Sequence, residues 1–258
     1  MADFTEQFTA FLNKEGVPQA ATFMLHSSFK GLARTGVKAE SILQGMCDYF
    51  TDGNVLFPTM TWKTVTPSQP IFNANSTSSH TGYLTELFRT QYATERSLHP
   101  THSVAGRGKS VEKLLCTHHL APSPCSMQSP YGKIFTELDH HQCYIGLLDV
   151  GLESCTYIHF FEEFFAPNVY LDQSAAPIQY QLIDLDGVSH PYMAIKQSNI
   201  SRNFHQIGDE LLQRQQLKSF SYANSRILLF TLQDLFSVLE DGFAHSQYAT
   251  SPSYLVGQ

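Results

Sequence analysis

A chain of 258 residues, 42% of them hydrophobic, is long enough to bury a substantial core, and no low-complexity or Pro/Gly/Ser-rich linker divides it, so residues 1–258 read as a single domain. A net charge of -7, with 16 lysines and arginines scattered along the sequence, argues against a nucleic-acid partner and suits a cationic substrate. No basic start leads into an apolar segment and no apolar run can span a bilayer, so no membrane partner and a cytoplasmic location are expected; five cysteines without CxxC spacing suit reduced thiols rather than a disulfide framework or zinc knuckle.

Phe4 to Leu12 is an amphipathic start, and Ala21 to Leu25 predicts a strand that runs into His26-Ser27-Ser28. A loop with Gly31 and Gly36 follows. Ile42, Leu43, Met46, Cys47 and Phe50 then recur at helical spacing until Asp52-Gly53, and Val55-Leu56-Phe57 reads as a second buried strand, which completes a β-α-β unit. Pro58 to Ser79 lacks periodicity and predicts a long functional loop, with the only tryptophan, Trp62, near its start. Leu84, Leu87 and Phe88 mark a helix after the hydroxyl-rich Ser76 to Ser79, and Val111, Leu114 and Leu115 a short one. Tyr144 to Leu148 is a buried strand, after which Gly151 and the Ser154 and Thr156 hydroxyls supply a break and a helix start. Ile178 to Leu182 and the run from Val188 flank Asp186-Gly187, the composition of a tight hairpin, and Ile227 to Leu232 is a last strand. Alternating elements followed by a hairpin predict an α/β fold: a single-domain αβα sandwich with a mixed central sheet and a later β-hairpin.

On the helix after Gly151, Thr156, His159, Glu162 and Glu163 fall on one polar stripe at i, i+3, i+6 and i+7. A carboxylate beside an imidazole favours its charged form and orients the ring, as a general base requires; the competing reading is the solvated face of a surface helix. Arg96 to Gly108 combines His99, His102, hydroxyls and glycines with little hydrophobic periodicity. That predicts an exposed binding loop whose N–H groups can hold a phosphate or thioester carbonyl, or else a merely polar loop. Gly108-Lys109-Ser110 matches the end of a P-loop, but Ser103 stands where the first glycine belongs and no buried strand precedes it. Twelve histidines include the pairs His118-His119 and His140-His141, yet no HExxH or HxH occurs, and His159 with Glu162 makes only two ligands, so no metal is expected. Cys155, four residues before His159, invites a nucleophile reading against that of a small core hydrophobe, and no GxSxG elbow supports a serine hydrolase.

Several blocks, in order, resemble the aminoglycoside 3-N-acetyltransferase (antibiotic N-acetyltransferase) family. They are His26-Ser27-Ser28 with its glycine-containing loop, Pro58 to Trp62, Phe72 to Arg89 with Gly82, His99 to Ala105, and the helix from Thr156 to Glu162; weaker similarity runs through Phe204 to Gly208 to the last strand. The resemblance implies transfer of an acetyl group from acetyl-coenzyme A to a primary amine, with His159 as general base, Glu162 as its acid partner, and direct attack without an acyl-enzyme. It places Ser27, Ser28, Phe29, His102, Ser103 and Val104 beside the pantetheine and phosphates, with donors near Ser103 stabilising the oxyanion. Two departures bear on the acceptor: Phe72-Asn73-Ala74 stands where the family has FDP, and Leu152 and Cys155 replace polar residues before the helix histidine. These changes favour an amino sugar or similar small-molecule amine over polycationic aminoglycosides. A coenzyme A-binding module without transfer activity and a Cys155-dependent acyltransferase are the alternatives, and a homodimer is left open.

Overall fold

The computed structural model describes residues 3–252. Helix α1 (Phe4–Lys14) leads to strand β1 (Thr22–Ser27), helices α2 (Lys30–Ala33) and α3 (Ala39–Tyr49), and strand β2 (Asn54–Pro58). Strand β3 (Ile71–Asn73), helix α4 (Tyr83–Gln91), strands β4 (Glu95–Arg96) and β5 (Val104–Gly108), and helices α5 (Val111–Leu115) and α6 (Pro130–Glu137) follow. Strand β6 (Cys143–Leu148) feeds helices α7 (Thr156–Phe165) and α8 (Pro167–Tyr170), then strand β7 (Leu171–Asp172) and the hairpin of β8 (Ile178–Ile183) and β9 (Ser189–Ala194). Strand β10 (Lys196–Gln197), helix α9 (His205–Gln213), the hairpin of β11 (Lys218–Tyr222) and β12 (Ser225–Thr231), and helix α10 (Leu232–His245) finish the described chain.

The helices begin where local chemistry starts them. Asp3 and Glu6 form a capping box on α1, Thr231 and Asp234 another on α10, and Ser129 accepts the Gly132 N–H in front of Pro130 on α6.

The main sheet has seven strands in the order β11-β12-β6-β1-β2-β5-β4. Its centre, β6-β1-β2, is parallel, and the strands outside it pair antiparallel, which is the mixed sheet that the sequence predicts. Alternate side chains serve opposite faces. Phe23, Leu25, Val55 and Phe57 pack under α1, α3 and α4, whereas Met24, Leu56, Ile145, Leu147 and Phe230 pack under α5, α6, α7, α9 and α10. Helices on both faces make the expected αβα sandwich. The late hairpin is present, but it joins β3 in a separate three-stranded sheet whose core is Phe72, Tyr180, Leu182 and Tyr192.

Two expectations need correction. Arg96 to Gly108 is not an exposed loop: β5 pairs with β2, and Arg96, Ser97, His99, Ser103, Val104 and Ala105 are buried. A Cβ on Gly106 would stand 2.2 Å from Val111 and 2.6 Å from Leu56, so the glycine there admits a close helix rather than a ligand. Within Pro58 to Ser79, β3 pairs in parallel with β8, so this segment is not wholly loop. Among the described residues no helix is long and apolar enough to cross a membrane.

Candidate active site

In an open α/β sheet, ligands settle outside the carboxyl ends of the parallel strands, where connections leave towards opposite faces. Here β1 exits to α2 and α3 on one face, and β6 exits to α7 on the other. At that point lies a cavity of about 870 Å³, walled by the residues that follow β1, β2 and β6. His26 to Lys30 come from β1, Pro58, Met60 and Trp62 from β2, and Val150 with Glu153 to Thr156 from β6. His80 to Tyr83, His102 and His159 complete most of the wall.

His159 sits on α7, opens to this cavity, and is held from behind. Its Nδ1–H donates to Glu162 Oε2 at 2.8 Å, which leaves the Nε2 lone pair to take a proton. Phe204 packs edge-on against the ring at 5.4 Å. Glu162 is 1% exposed, so the polar stripe expected on this helix is not a solvated face. A buried carboxylate must be satisfied, and this one is. Arg202 Nε–H donates to both of its oxygens at 2.9 and 3.0 Å, and the Thr250 hydroxyl donates to Oε1 at 2.5 Å and lies 2.8 Å from the Tyr170 hydroxyl. Burial alone raises the Glu162 carboxyl; hydrogen bonds and charge from His159 and Arg202 outweigh it and hold the group below the usual carboxylate range.

Glu163, next in sequence, belongs to another environment. Its carboxylate accepts from the Ser123 hydroxyl at 2.5 Å, the Cys125 N–H at 3.2 Å and Gln197 at 3.3 Å, and burial pushes it up to about 7. It anchors the 121–125 segment and does not face the cavity.

Of the residues expected beside a cofactor, Ser27, Ser28, Phe29 and His102 line the cavity, and Ser103 and Val104 do not. Ser103 is fully buried: its hydroxyl donates to Thr59 O at 2.8 Å and accepts from Arg96 Nε at 3.2 Å. The Val104 N–H donates to Ser97 Oγ at 2.8 Å. Both therefore brace the turn that presents His102. His99 Nδ1 closes the same turn by accepting the N–H groups of Thr101 and His102 at 3.1 and 3.0 Å. His99 stacks at 4.5 Å on His118, which bridges Ser97 Oγ and Pro124 O, so these two histidines act as internal fasteners.

Two further imidazoles on the wall, His26 and His80, were not expected as ligands. Burial pushes His26 down to about 3; burial, then the charges of His159, His118 and His80, push His102 down to about 3; and burial with Lys63 lowers His80. All three are neutral imidazoles at pH 7. Among the described residues, His26 Nε2, Ser27 Oγ and both ring nitrogens of His80 are buried without a partner. Unsatisfied polar atoms on the wall of a roomy cavity suit a ligand that brings its own donors and acceptors. Trp62 stands 46% exposed with its ring edge to His80 at 4.3 Å, and Phe29 stacks on Tyr83 at 6.0 Å.

Cys155 is 1% exposed at the cap of α7, and burial pushes its thiol up to about 12. A thiol held in its protonated form is a poor nucleophile. All five cysteines are free. Among the described residues, no group of three His, Cys, Asp or Glu side chains is placed to hold a metal ion.

Comparison with known proteins bears on this geometry. Residues 24–244 match the family model described as aminoglycoside 3-N-acetyltransferase. The SPbeta prophage-derived aminoglycoside N(3')-acetyltransferase-like protein YokD of Bacillus subtilis (strain 168) is 26% identical over 194 residues, covering 67% of this chain and 69% of that protein. The crystal structure of YokD superposes with a TM-score of 0.75 at 22% identity, covering 95% of each chain. AAC-IIIb in binary complex with CoASH gives 0.75 at 17% identity over 97% of this chain and 98% of that one. AAC-VIa bound to sisomicin gives 0.72 at 16% identity over 93% and 97%.

Proposed function

The chain belongs to the aminoglycoside 3-N-acetyltransferase family, and from that premise we propose that it moves an acetyl group from acetyl-coenzyme A to a primary amine, with His159 as general base in a ternary complex. The observation that carries this reading is the His159–Glu162 pair, 2.8 Å apart, on the wall of a cavity lined by Ser27, Ser28, Phe29 and His102.

Two relatives support the chemistry: one is bound to CoASH and another to sisomicin. The cavity also fits the coenzyme. Its volume, the unpartnered Ser27 Oγ and His26 Nε2, and the apolar surface of Phe29 suit an amide-rich thioester arm. Bound there, acetyl-coenzyme A supplies an activated acyl group.

The residues of the chain do the rest. An alkyl ammonium carries no lone pair at neutral pH, so the acceptor must lose a proton to a base within about 3 Å of its nitrogen. His159 Nε2 takes that proton. Glu162 then offsets the imidazolium charge, and Arg202 with Thr250 keeps the acid ionised and fixed. Burial lowers the basicity of His26, His102 and His80, so these imidazoles compete poorly with His159 for the proton of the acceptor. Ser103 acts through the turn it braces rather than as an oxyanion donor. Direct attack needs no acyl-enzyme, and among the described residues the one thiol on the wall, Cys155, is held protonated by burial.

Calorimetry with acetyl-coenzyme A, followed by thiol release over paired panels of aminoglycosides and amino sugars, tests the proposal. Release with at least one amine, lost in His159→Ala, is the expected result. Coenzyme binding with no release across both panels would instead leave a binding module.

A further inference from the structure

We infer that the acceptor is a monoamine carried on an uncharged ring, bound with its ring face against Trp62, and that molecules bearing several ammonium groups are poor substrates. This rests on the transfer reading above and specifies what that site accepts.

A compact molecule with several ammonium groups loses much hydration on entering a cavity, and each charge it retains needs a carboxylate or a converging set of acceptors. This cavity offers little of either. Among the described residues that line it, Glu153 is the only acid and Lys30 the only lysine or arginine, so their charges cancel. One oxygen of Glu153 is moreover engaged by the Gly151 N–H at 2.9 Å. Behind the wall, Glu162 is matched by Arg202, and Glu86 by Arg89 at 2.6 Å. Neither pair leaves an acid free for a second or third cation.

What the cavity presents in place of charge is ring surface. Trp62 and Tyr83 stand 46% and 59% exposed, which is high for aromatics with packed neighbours, and each is steadied by neighbouring rings on the wall: Trp62 by His80 and His102, Tyr83 by Phe29. A fixed, half-open indole is a platform for the face of an aryl ring or the C–H face of a pyranose. His159 then has one ammonium to deprotonate, and the rest of the acceptor needs no counter-charge.

The test measures thiol release from acetyl-coenzyme A with 2-phenylethylamine, glucosamine and sisomicin at low and high salt. The two monoamines separate an aryl from a sugar source. The expected result is kcat/KM for the better monoamine exceeding that for sisomicin by about 100-fold, with little dependence on ionic strength, because no multivalent charge is read. Trp62→Ala should lower the favoured kcat/KM by about 10-fold while melting remains cooperative, as an exposed side chain allows. Sisomicin equalling or surpassing both monoamines, with a rate that falls steeply as salt rises, overturns the inference and leaves acetyl transfer intact. An unaltered monoamine rate in Trp62→Ala removes the ring platform. Coenzyme binding without release for all three amines and both panels defeats the transfer reading itself, and the inference with it.

Discussion

The Nε–H of Arg202 reaches both carboxylate oxygens of Glu162, at 2.9 and 3.0 Å, so a single N–H clamps the acid that orients His159. Because Glu162 is almost wholly buried, removing that cation strands a charge and does more than delete a contact. Arg202→Gln is expected to cost about 3 kcal/mol of stability at pH 7. The pH dependence has a definite sign. The folded-state pKa of Glu162 is depressed, so the stability it contributes is present above the unfolded value and lost as pH falls through the folded one. Urea denaturation at pH 7 and pH 4 should show the gap between variant and parent narrowing at the acid end; an equal gap at both excludes the clamp.

His159 is partly exposed and opens to the cavity, so its removal should cost far more turnover than folding. His159→Ala should lower turnover by on the order of 10²-fold or more while the protein still folds and melts cooperatively. Near-normal turnover in the folded variant refutes the base assignment.

Glu163 behaves in the opposite sense to its neighbour. With a folded pKa raised to about 7, it favours the folded state when protonated; that contribution is complete below the unfolded carboxylate pKa and fades as pH rises through 7. Glu163→Gln keeps an acceptor for Ser123 and the Cys125 N–H and removes the titration. Between pH 4.5 and 8 the variant should lose less stability than the parent, by on the order of 2 kcal/mol. Parallel stability curves across this range would contradict the assignment.

The protonated thiol of Cys155 makes a simple mass measurement decisive. Intact protein mixed with acetyl-coenzyme A and no amine should carry no acetyl adduct, and Cys155→Ala should retain transfer within a few-fold. An adduct that disappears in this variant would restore the covalent route.

His99 reaches the cavity only through the turn it closes. His99→Leu leaves the N–H groups of Thr101 and His102 without their acceptor, at a cost of about 1–3 kcal/mol each, and frees His102 to move. KM for acetyl-coenzyme A should rise more than kcat falls. The reverse split would place His99 among the residues that touch the reacting atoms.

The strands and the histidine helix were legible because their signals are local. Tyr144 to Leu148 is a continuous apolar run, Gly151 breaks it, and the structure puts β6 and α7 where those residues require. The hairpin about Asp186-Gly187 was legible for the same reason, although nothing in its residues shows that it leaves the main sheet for a second one. Val104 to Gly108 misled: two glycines and an arginine in five residues carry no strand pattern, and only pairing with β2 makes them one. Helices α6, α9 and α10 lacked a reading, as did β11, since their mixed apolar spacing needed the partner faces to be seen. At the site, the His159–Glu162 pair lies within one helical turn and could be found. Arg202 and Thr250 stand 40 and 88 residues beyond Glu162, in segments with no motif, and only the folded chain brings them to it.

The sole tryptophan lines the cavity, nearly half open to water and flanked by two imidazoles. The molecule thus contains a single indole on the cavity wall, whose emission can be excited apart from that of its 12 tyrosines. Occupancy can be followed by emission in the unlabelled protein, and the wavelength shift distinguishes an indole that has been dried by a guest from one that stays wet.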